Sequence, residues 1–413
     1  MRGVGDSLTI GERIAHYRAR RGLTQTELAN LVGRGPDWLS KIERGERRLR
    51  NVDVLAELAR VLRVTLGDLL GQPVMFEEDD DLDDVPAVRD ALMAPGRLSR
   101  VIGSEAKSDG VVDVIGTGRL VEFGWSDYQR GRLGNVIAQL PSLIRQAQHL
   151  EDSASHYGSP ERRTAWTVSA RAHHLAATTL SKVGEADLSW IAAERAMHAA
   201  DQSDDVLVLA STARAAAHAL LAVGRFDDAV EMGNTAARWL TDHLADADPA
   251  ALSLLGMLHL RTAIAAARRE DRAMTTELLD KAEAAATRMG ADADHWHTSF
   301  GPTNVAVHRL SAALDLGDFA WVADRGPHLD VTGLPAERRV THLTDLARAL
   351  THLAHDDEAL GLLLAAEREA PALVRHSAAV RETVKEMQRR APVTGVARSS
   401  ELGGLAQRCR AAR

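Results

Sequence analysis

Residues 24–45 have the sequence TQTELANLVGRGPDWLSKIERG, which decides how the N-terminal part of this chain is interpreted. Leu28 and Val32 are four residues apart, the spacing of one helix face. A glycine-containing turn follows at 33–35, since glycine reaches backbone angles that other residues avoid. Pro36 then favours the first position of a second helix, where its missing N–H costs nothing. The pattern predicts two short helices joined by a tight turn.

Such a pair of helices is a helix-turn-helix, in which the second helix, here residues 36–44, enters the major groove of DNA. Further apolar-periodic segments flank the pair at residues 8–20, 52–62 and 66–70. The alternative interpretation is an ordinary helical hairpin within a protein core. Five helices in about seventy residues, in this order, favour the DNA-binding interpretation.

The order of these helices resembles the DNA-binding domain of the Cro and phage-repressor family, also called the XRE family. The matching residues are Gly22-Leu23-Thr24-Gln25, Glu27-Leu28-Ala29, Val32-Gly33, Ile42-Glu43-x-Gly45 and Leu58-Ala59. The resemblance implies a helix-turn-helix domain over residues 1–72 that binds a double-stranded DNA operator. It also implies an ion pair between Arg18 and Glu43, which would tie the first helix to the third.

The resemblance further implies a set of DNA contacts at the second and third helices. Gln25 would bind a backbone phosphate beside the helix N-terminus. The base-facing positions depart from the usual glutamine-, serine- or arginine-rich pattern: Asp37 accepts only from a cytosine amine, Trp38 would pack on a thymine methyl, and Lys41 suits guanine. The predicted DNA-contacting residues are Thr24, Gln25, Arg34, Pro36, Asp37, Trp38, Lys41, Arg44, Arg47, Arg48 and Arg50.

Charge is unevenly distributed along the chain. Residues 1–72 carry 13 Lys or Arg against 9 Asp or Glu, whereas the whole chain has a net charge of −8. Only the N-terminal domain is therefore expected to face DNA phosphates. Seven of the eight residues 77–84 are acidic, which marks residues 73–119 as an acidic linker and connecting segment. An autoinhibitory strip that competes with DNA for Arg47, Arg48 and Arg50 is the alternative.

Residues 120–390 contain a repeated signature between successive helical segments. The signatures are Tyr128-Gln129-Arg130-Gly131, Lys182-Val183-Gly184-Glu185, Ala222-Val223-Gly224-Arg225 and Asp315-Leu316-Gly317-Asp318, with Arg269-Glu270-Asp271 and Ala354-His355-Asp356-Asp357 in the same place without glycine. The series resembles a degenerate tetratricopeptide array, in which helix pairs bury their apolar faces by stacking. We therefore predict an all-α protein: a five-helix helix-turn-helix domain, an irregular tetratricopeptide-like α-solenoid and a flexible tail over residues 391–413.

In such an array the first helix of each pair lines the concave side. Polar and aromatic residues recur on those helices at helical spacing, and they would form a groove for a peptide or small molecule. The predicted ligand-binding residues are Trp166, His173, Arg214, Arg261, Trp296, Phe300, Asn304 and His308. Stripes that merely face solvent are the alternative.

Other classes of function find little support in the sequence. There is no phosphate-binding loop, nucleophile elbow or metal-ligand spacing, so we expect no enzyme, cofactor or metal. The sequence contains no run of about 18 apolar residues, so we expect no membrane span. The single cysteine, Cys409, cannot form an intrachain disulfide, and we expect a cytoplasmic protein located at the nucleoid.

The whole layout resembles the peptide-sensing regulators of Gram-positive bacteria, and the actinobacterial type in particular. That resemblance implies a sequence-specific transcription regulator that forms a homodimer through its repeats and senses a peptide or small-molecule signal. It also matches Asn304 to an inner-helix asparagine that holds the peptide backbone. The alternative is that the repeats bind another protein and that no small ligand exists.

Overall fold

The structure is a computed structural model, and the chain divides into two compact units, residues 1–87 and 88–413. The described residues are 9–21, 23–47, 49, 52–62, 64, 69, 85–94, 113–243, 248–394 and 399–411. Over these residues every regular element is a helix, and the only β-type pairing is one bridge between Ala293 and Phe300. The all-α prediction is confirmed.

The first unit contains the predicted helix-turn-helix. Its helices are α1 (Ile10–Arg20), α2 (Gln25–Leu31), α3 (Pro36–Glu43) and α4 (Val52–Leu62). They enclose one apolar core, in which Ile14, Leu28, Leu39 and Leu58 are fully buried. The fifth helix predicted at residues 66–70 lies largely outside the described residues, although Leu69 is buried in the same core.

The second unit is built from helices that follow one another closely. They are α5 (Val85–Leu92, which begins just before the division), α6 (Val114–Gln129), α7 (Leu133–Ser153), α8 (Ser159–Lys182), α9 (Ala186–Ser203), α10 (Val206–Ala222), α11 (Phe226–His243), α12 (Pro249–Arg268), α13 (Arg272–Met289), α14 (Pro302–Asp315), α15 (Phe319–Arg325), α16 (Ala336–His352), α17 (Asp356–Glu369), α18 (Pro371–Arg375), α19 (Ala378–Thr394) and α20 (Ser399–Arg408). Three short 3₁₀ helices cover Ala154–His156, His295–His297 and Gly326–His328.

All six predicted inter-helix turns are present, and they make six pairs from α6/α7 to α16/α17. One residue in each turn has a positive φ, which ends the first helix and reverses the chain. Four of the six are glycines: Gly131, Gly184, Gly224 and Gly317. Glu270, at φ 62°, and Ala354, at φ 63°, take the same conformation without glycine.

The six pairs form a closed array. The first helix of each pair packs on the first helix of the next, and α16 returns to contact α6. An ion pair reinforces this closure, since Lys182 Nζ on α8 lies 2.5 Å from Glu337 Oε1 on α16. Five of the six first helices, α6, α8, α10, α12 and α16, line the space inside the array, where the sequence predicts a groove.

Helix α12 is long and apolar enough to cross a membrane by length and composition alone, but it serves as a core helix of the array. It packs against α10, α11, α13 and α14, and most of its apolar window is buried. Gly256 on α12 accommodates the ring of Phe300, because a Cβ atom at this position would lie 1.9 Å from Phe300 Cζ.

The C-terminal residues differ from the flexible tail expected over residues 391–413. Helix α20 buries Leu402 and Leu405, and Cys409 after it is also buried. The Arg408 guanidinium binds the Glu367 carboxylate of α17 through two hydrogen bonds of 2.6 and 2.7 Å. An apolar helix face and an ion pair therefore attach this segment to the array.

Part of the connecting segment predicted over residues 73–119 also belongs to the second unit. Arg89 of α5 lies 2.9 Å from Glu185, and Arg195 donates to the carbonyl of Leu92. The acidic run at residues 77–84 lies outside the described residues, so its two interpretations stay open.

Candidate nucleic-acid interface and inner cavity

Helix α2 begins with a reciprocal cap. The Thr24 hydroxyl accepts from the Glu27 backbone N–H at 3.2 Å, while the Thr24 N–H donates to the Glu27 carboxylate at 2.7 Å. This capping box fixes where the helix starts. The chain then turns through Gly33, whose φ is 64°, so that α3 begins at Pro36 as predicted.

Helix α3 has one buried and one exposed face. Leu39 and Ile42 lie in the core, whereas Asp37 and Lys41 are on the surface. Their side chains form an ion pair of 2.7 Å, which holds the pKa of Asp37 below its ordinary value. Two of the residues predicted to contact bases are therefore paired with each other.

Trp38 has a different environment from the one expected of a base-contacting residue. Its indole is half-buried and packs against the core of the first unit. The guanidinium of Arg34 lies over the ring, 5.8 Å from its centroid. Trp38 therefore has a structural role that spacing along the helix does not reveal, and its contact with DNA stays a prediction.

The ion pair implied by the resemblance is present between α1 and α3. Arg18 donates to both Glu43 carboxylate oxygens, from Nε at 2.6 Å and from Nη2 at 2.9 Å. The Gln25 amide also donates to this carboxylate at 2.7 Å. Gln25 is thus held by a protein group at the place where a phosphate contact is predicted.

The arginines after α3 lie on the surface. Arg44 and Arg47 are exposed, and Arg44 lies 3.2 Å from the Glu46 carboxylate. The Arg47 N–H donates to the carbonyl of Lys41, which fixes the direction of the chain as it leaves the helix. Arg48 and Arg50 are outside the described residues.

The second unit has a small cavity between its inner helices, in which a water-sized sphere finds about 20 Å³ of space. Its lining residues are Trp125, Tyr128, Gln129, His174, Thr178, Arg214, Ala215, His218, Arg261, His297, Thr298, Ser299, Pro335, Glu337 and Arg338. Aromatic groups and charged groups both contribute. This space is much smaller than typical ligand pockets of roughly 300–1,000 Å³, so it suits one small chemical group and not a whole ligand.

Charged groups in the cavity wall strongly influence one another. Burial alone would raise the pKa of Glu337, but Arg338 and Lys182 hold that pKa well below its usual range. Burial, followed by repulsion from Arg261 and Arg338, lowers the pKa of Arg214 to about 9. The wall therefore contains a carboxylate with two cationic neighbours, together with further buried guanidinium groups.

Comparison with known proteins identifies the first unit. A family model described as a helix-turn-helix domain matches residues 9–70. The HTH-type transcriptional regulator SinR of Bacillus subtilis is 35% identical over 85 residues, which cover 20% of this chain and 77% of SinR. The chain belongs to the XRE family of helix-turn-helix transcriptional regulators. SinR of Bacillus licheniformis matches this regulator to the same extent.

Solved structures similar to the regulator are remote in sequence. The Bacillus thuringiensis protein PlcR, in complex with the peptide PapR7 and DNA, is 14% identical, covers 68% of the regulator and 95% of its own chain, and has a TM-score of 0.28. A Rap protein complexed with Competence and Sporulation Factor is 13% identical, covers 89% and 100%, and has a TM-score of 0.39. These scores are too low to support a statement about ligands.

Two of the eight predicted ligand-binding residues, Arg214 and Arg261, line the regulator's cavity. Trp166 instead packs in an apolar cluster that Trp296 also contacts. His173 lies 3.4 Å from the Glu151 carboxylate, and its neighbour His174 lines the cavity instead. Phe300 is a core side chain, because its ring fills the space beside Gly256 on α12.

Asn304 and His308 do not line the cavity, but Asn304 contacts two residues that do. The Asn304 amide donates to the carbonyls of Thr298, at 3.2 Å, and Ser299, at 2.9 Å, two residues that line the cavity. His308 Nδ1 lies 2.9 Å from the Asn304 carbonyl. Asn304 therefore holds a loop of the protein, in place of the predicted contact with a peptide backbone.

Sequence reasoning missed several lining residues. Tyr128 is part of the first turn signature, a pattern that predicts a connection and not a site. Glu337 and Arg338 stand at the start of α16 in the sequence AERRV, which is typical of an exposed first turn. Both are nevertheless buried, because α16 returns to contact α6. No local signal encodes that long-range contact.

Proposed function

We propose that this regulator binds a two-fold-symmetric DNA site as a homodimer and that a peptide or small molecule in the inner cavity controls this binding. The observation that carries the sensing proposal is the enclosed cavity, which lies in the unit that follows the DNA-binding domain. Its lining combines aromatic rings with convergent polar groups of the kind that fix the orientation of a ligand. A ligand that prefers one arrangement of the helices would shift the population towards it.

Dimerisation follows from the small size of the DNA-binding unit. One helix-turn-helix contacts few phosphates, and proteins of this type usually bind two half-sites about one helical turn apart. The helical unit would then supply the dimer contacts. A ligand that alters that unit would change the separation of the two α3 helices, and hence the affinity for the operator.

A protein partner is the second candidate for the helical unit. It would favour a broad, open binding face, whereas the cavity here lies among inner helices whose array closes between α16 and α6. Trp125 and Tyr128 line that cavity. These features favour a small ligand or a short peptide segment.

Selection of bound fragments from random DNA tests the DNA-binding half of the proposal. We expect the full chain to enrich a two-fold-symmetric site with half-sites about 10 bp apart. The double variant Asp37→Ala/Lys41→Ala should lose that site, because both surface groups of α3 are removed without leaving either charge unpaired. Trp38 is left unchanged because it packs against the core.

The matched control is Glu277→Ala/Lys281→Ala. Glu277 and Lys281 also form an exposed ion pair across one helical turn, 2.6 Å apart, in the second unit. This variant should select the same DNA as the wild type. Retention of the site by Asp37→Ala/Lys41→Ala, or enrichment of a site without symmetry, would contradict the proposal.

A further inference from the structure

We infer that the inner cavity binds a carboxylate group, held by Arg214 and Arg261 with a hydrogen bond from Tyr128. The inference deepens the proposed function, on which it rests, because it names the chemical group by which a signal would be recognised. Arg214 lies on α10, Arg261 on α12 and Tyr128 on α6, so the three side chains come from three inner helices and line one space.

The first observation is a set of buried donors without acceptors. The Nε atoms of Arg214 and Arg261 and the hydroxyl of Tyr128 have no hydrogen-bond partner among the residues that the structure describes. Arg214 is only 6% exposed and Tyr128 only 5%. Buried polar groups are almost always hydrogen-bonded, since an unsatisfied donor costs about 1–3 kcal/mol. Three such donors around one cavity indicate an acceptor that binds there.

The second observation is an imbalance of charge. Glu337 is paired with Lys182 at 2.5 Å and with Arg338 at 3.4 Å. Within the described part of the chain, no carboxylate lies within ion-pair distance of Arg214 or Arg261. Asp294 attracts Arg214 from beyond ion-pair distance, and it accepts hydrogen bonds from Gln129 and Ser299. Glu337 also attracts Arg261 from beyond ion-pair distance, but neither guanidinium group has a carboxylate in direct contact.

The electrostatic consequence is repulsion between guanidinium groups, which a bound anion would relieve. Burial, and then Arg338, lowers the pKa of Arg261 to about 10, so its guanidinium remains charged at neutral pH. Burial raises the pKa of Tyr128 well above its usual value, which keeps the hydroxyl protonated and available as a donor. A buried charge without a partner is expensive, and a bound anion would supply that partner.

A carboxylate fits these donors better than other anions do. A guanidinium group binds a carboxylate through two parallel hydrogen bonds, and the planar anion suits a narrow space between helices. A phosphate would use the same donors, but it is larger and has more oxygens to satisfy. Carboxylate and phosphate are therefore compared directly in the test.

The test measures thermal unfolding of the full chain in sodium acetate, acetamide or sodium phosphate, at one ionic strength set with sodium chloride. Acetamide has the shape of acetate without its charge. We expect about 0.2 M acetate to raise the unfolding midpoint of the helical unit by roughly 2–4 °C relative to chloride. Acetamide should leave the midpoint unchanged, and phosphate should raise it less than acetate does.

Two variants assign the effect to the cavity. Arg261→Gln should abolish the acetate shift and, without acetate, should unfold at the same temperature as the wild type or higher, because repulsion with Arg338 is removed. Arg214→Gln should also abolish the shift. Arg238→Gln makes the same chemical change on the exposed face of α11 and should keep the full shift. General salt effects act equally on all four proteins.

Three outcomes would overturn the inference. The first is an equal midpoint in acetate and chloride for the wild type. The second is an acetate shift that survives in both Arg261→Gln and Arg214→Gln, which would place the effect elsewhere. The third is a shift with phosphate alone, which would indicate a phosphate site. No DNA is present in the test, so its result is separate from that of the DNA selection.

Discussion

Replacing Glu43 with alanine is expected to destabilise the DNA-binding unit by about 1–3 kcal/mol, the cost of leaving part-buried donors without their acceptor. The Glu43 side chain is 5% exposed and accepts from Arg18 twice and from Gln25 once. Its loss leaves donors on α1 and α2 without an acceptor, and it removes the polar link between those helices and α3. A small domain has little stability in reserve, so much of this unit would unfold.

Hydrogen exchange of the full chain, read by mass spectrometry over residues 10–43, measures this change within the first unit alone. Glu46→Ala is the control, since Glu46 also pairs with an arginine, Arg44, but on the surface. Its cost should stay below about 1 kcal/mol. Equal protection of α1 to α3 in the two variants would show that the buried network is not what holds these helices together.

Acidification is expected to weaken the helical unit by about 3 kcal/mol between pH 7.5 and pH 5.5 through His174 and His308 alone. Burial, followed by repulsion from Arg214, holds the pKa of His174 well below its ordinary value of 6.5. Burial, followed by repulsion from Arg338, does the same for His308. Both imidazoles are therefore neutral in the folded protein.

The sign of the effect follows from proton uptake. Below pH 6.5 these histidines bind protons in the unfolded chain but not in the folded one, so falling pH favours unfolding. Each histidine that stays neutral in the folded protein lowers the free energy of unfolding by about 1.4 kcal/mol for every pH unit below 6.5. Their contribution is complete above pH 6.5 and is lost progressively as the pH falls below that value.

Urea unfolding of the wild type and of His174→Gln/His308→Gln at the two pH values isolates this contribution. The double variant should be less sensitive to pH by about 3 kcal/mol, whatever its stability at pH 7.5. His355→Gln, at an exposed position, should retain the sensitivity of the wild type. An unchanged pH dependence in the double variant would mean that these side chains take up protons in the folded state.

The inter-helix turns were predictable because each is encoded locally. A residue of positive φ must follow the first helix of a pair, and the recurrence of Gly131, Gly184, Gly224 and Gly317 indicates where. The same holds for α2 and α3, whose cap, turn and first proline are contiguous in sequence. Local signals of this kind determine where helices begin and end, but not which distant helices meet.

The cavity could not be predicted to the same extent. His173 and His174 differ by one position, or about 100° around the helix, and that rotation separates a residue facing Glu151 from one lining the cavity. Glu337 and Arg338 enter the site only because α16 contacts α6, over 200 residues earlier in the chain. Phe300, an aromatic residue expected at a site, fills the core beside Gly256.

We expect that α3 selects the DNA sequence and that the arginines after it bind the DNA backbone. One titration tests this expectation directly. The selected duplex and a random duplex are each titrated with the full chain at several salt concentrations. We compare Asp37→Ala/Lys41→Ala with Arg44→Ala/Arg47→Ala, whose side chains are exposed.

The arginine variant should bind both duplexes more weakly by similar factors. The slope of its affinity against salt concentration should decrease by the amount expected for about two lost phosphate contacts per protomer. The α3 variant should lose affinity for the selected duplex alone. Two results together would contradict the assignment of this surface to DNA. The arginine variant would keep the affinity and salt dependence of the wild type, and the α3 variant would still prefer the selected duplex over the random one.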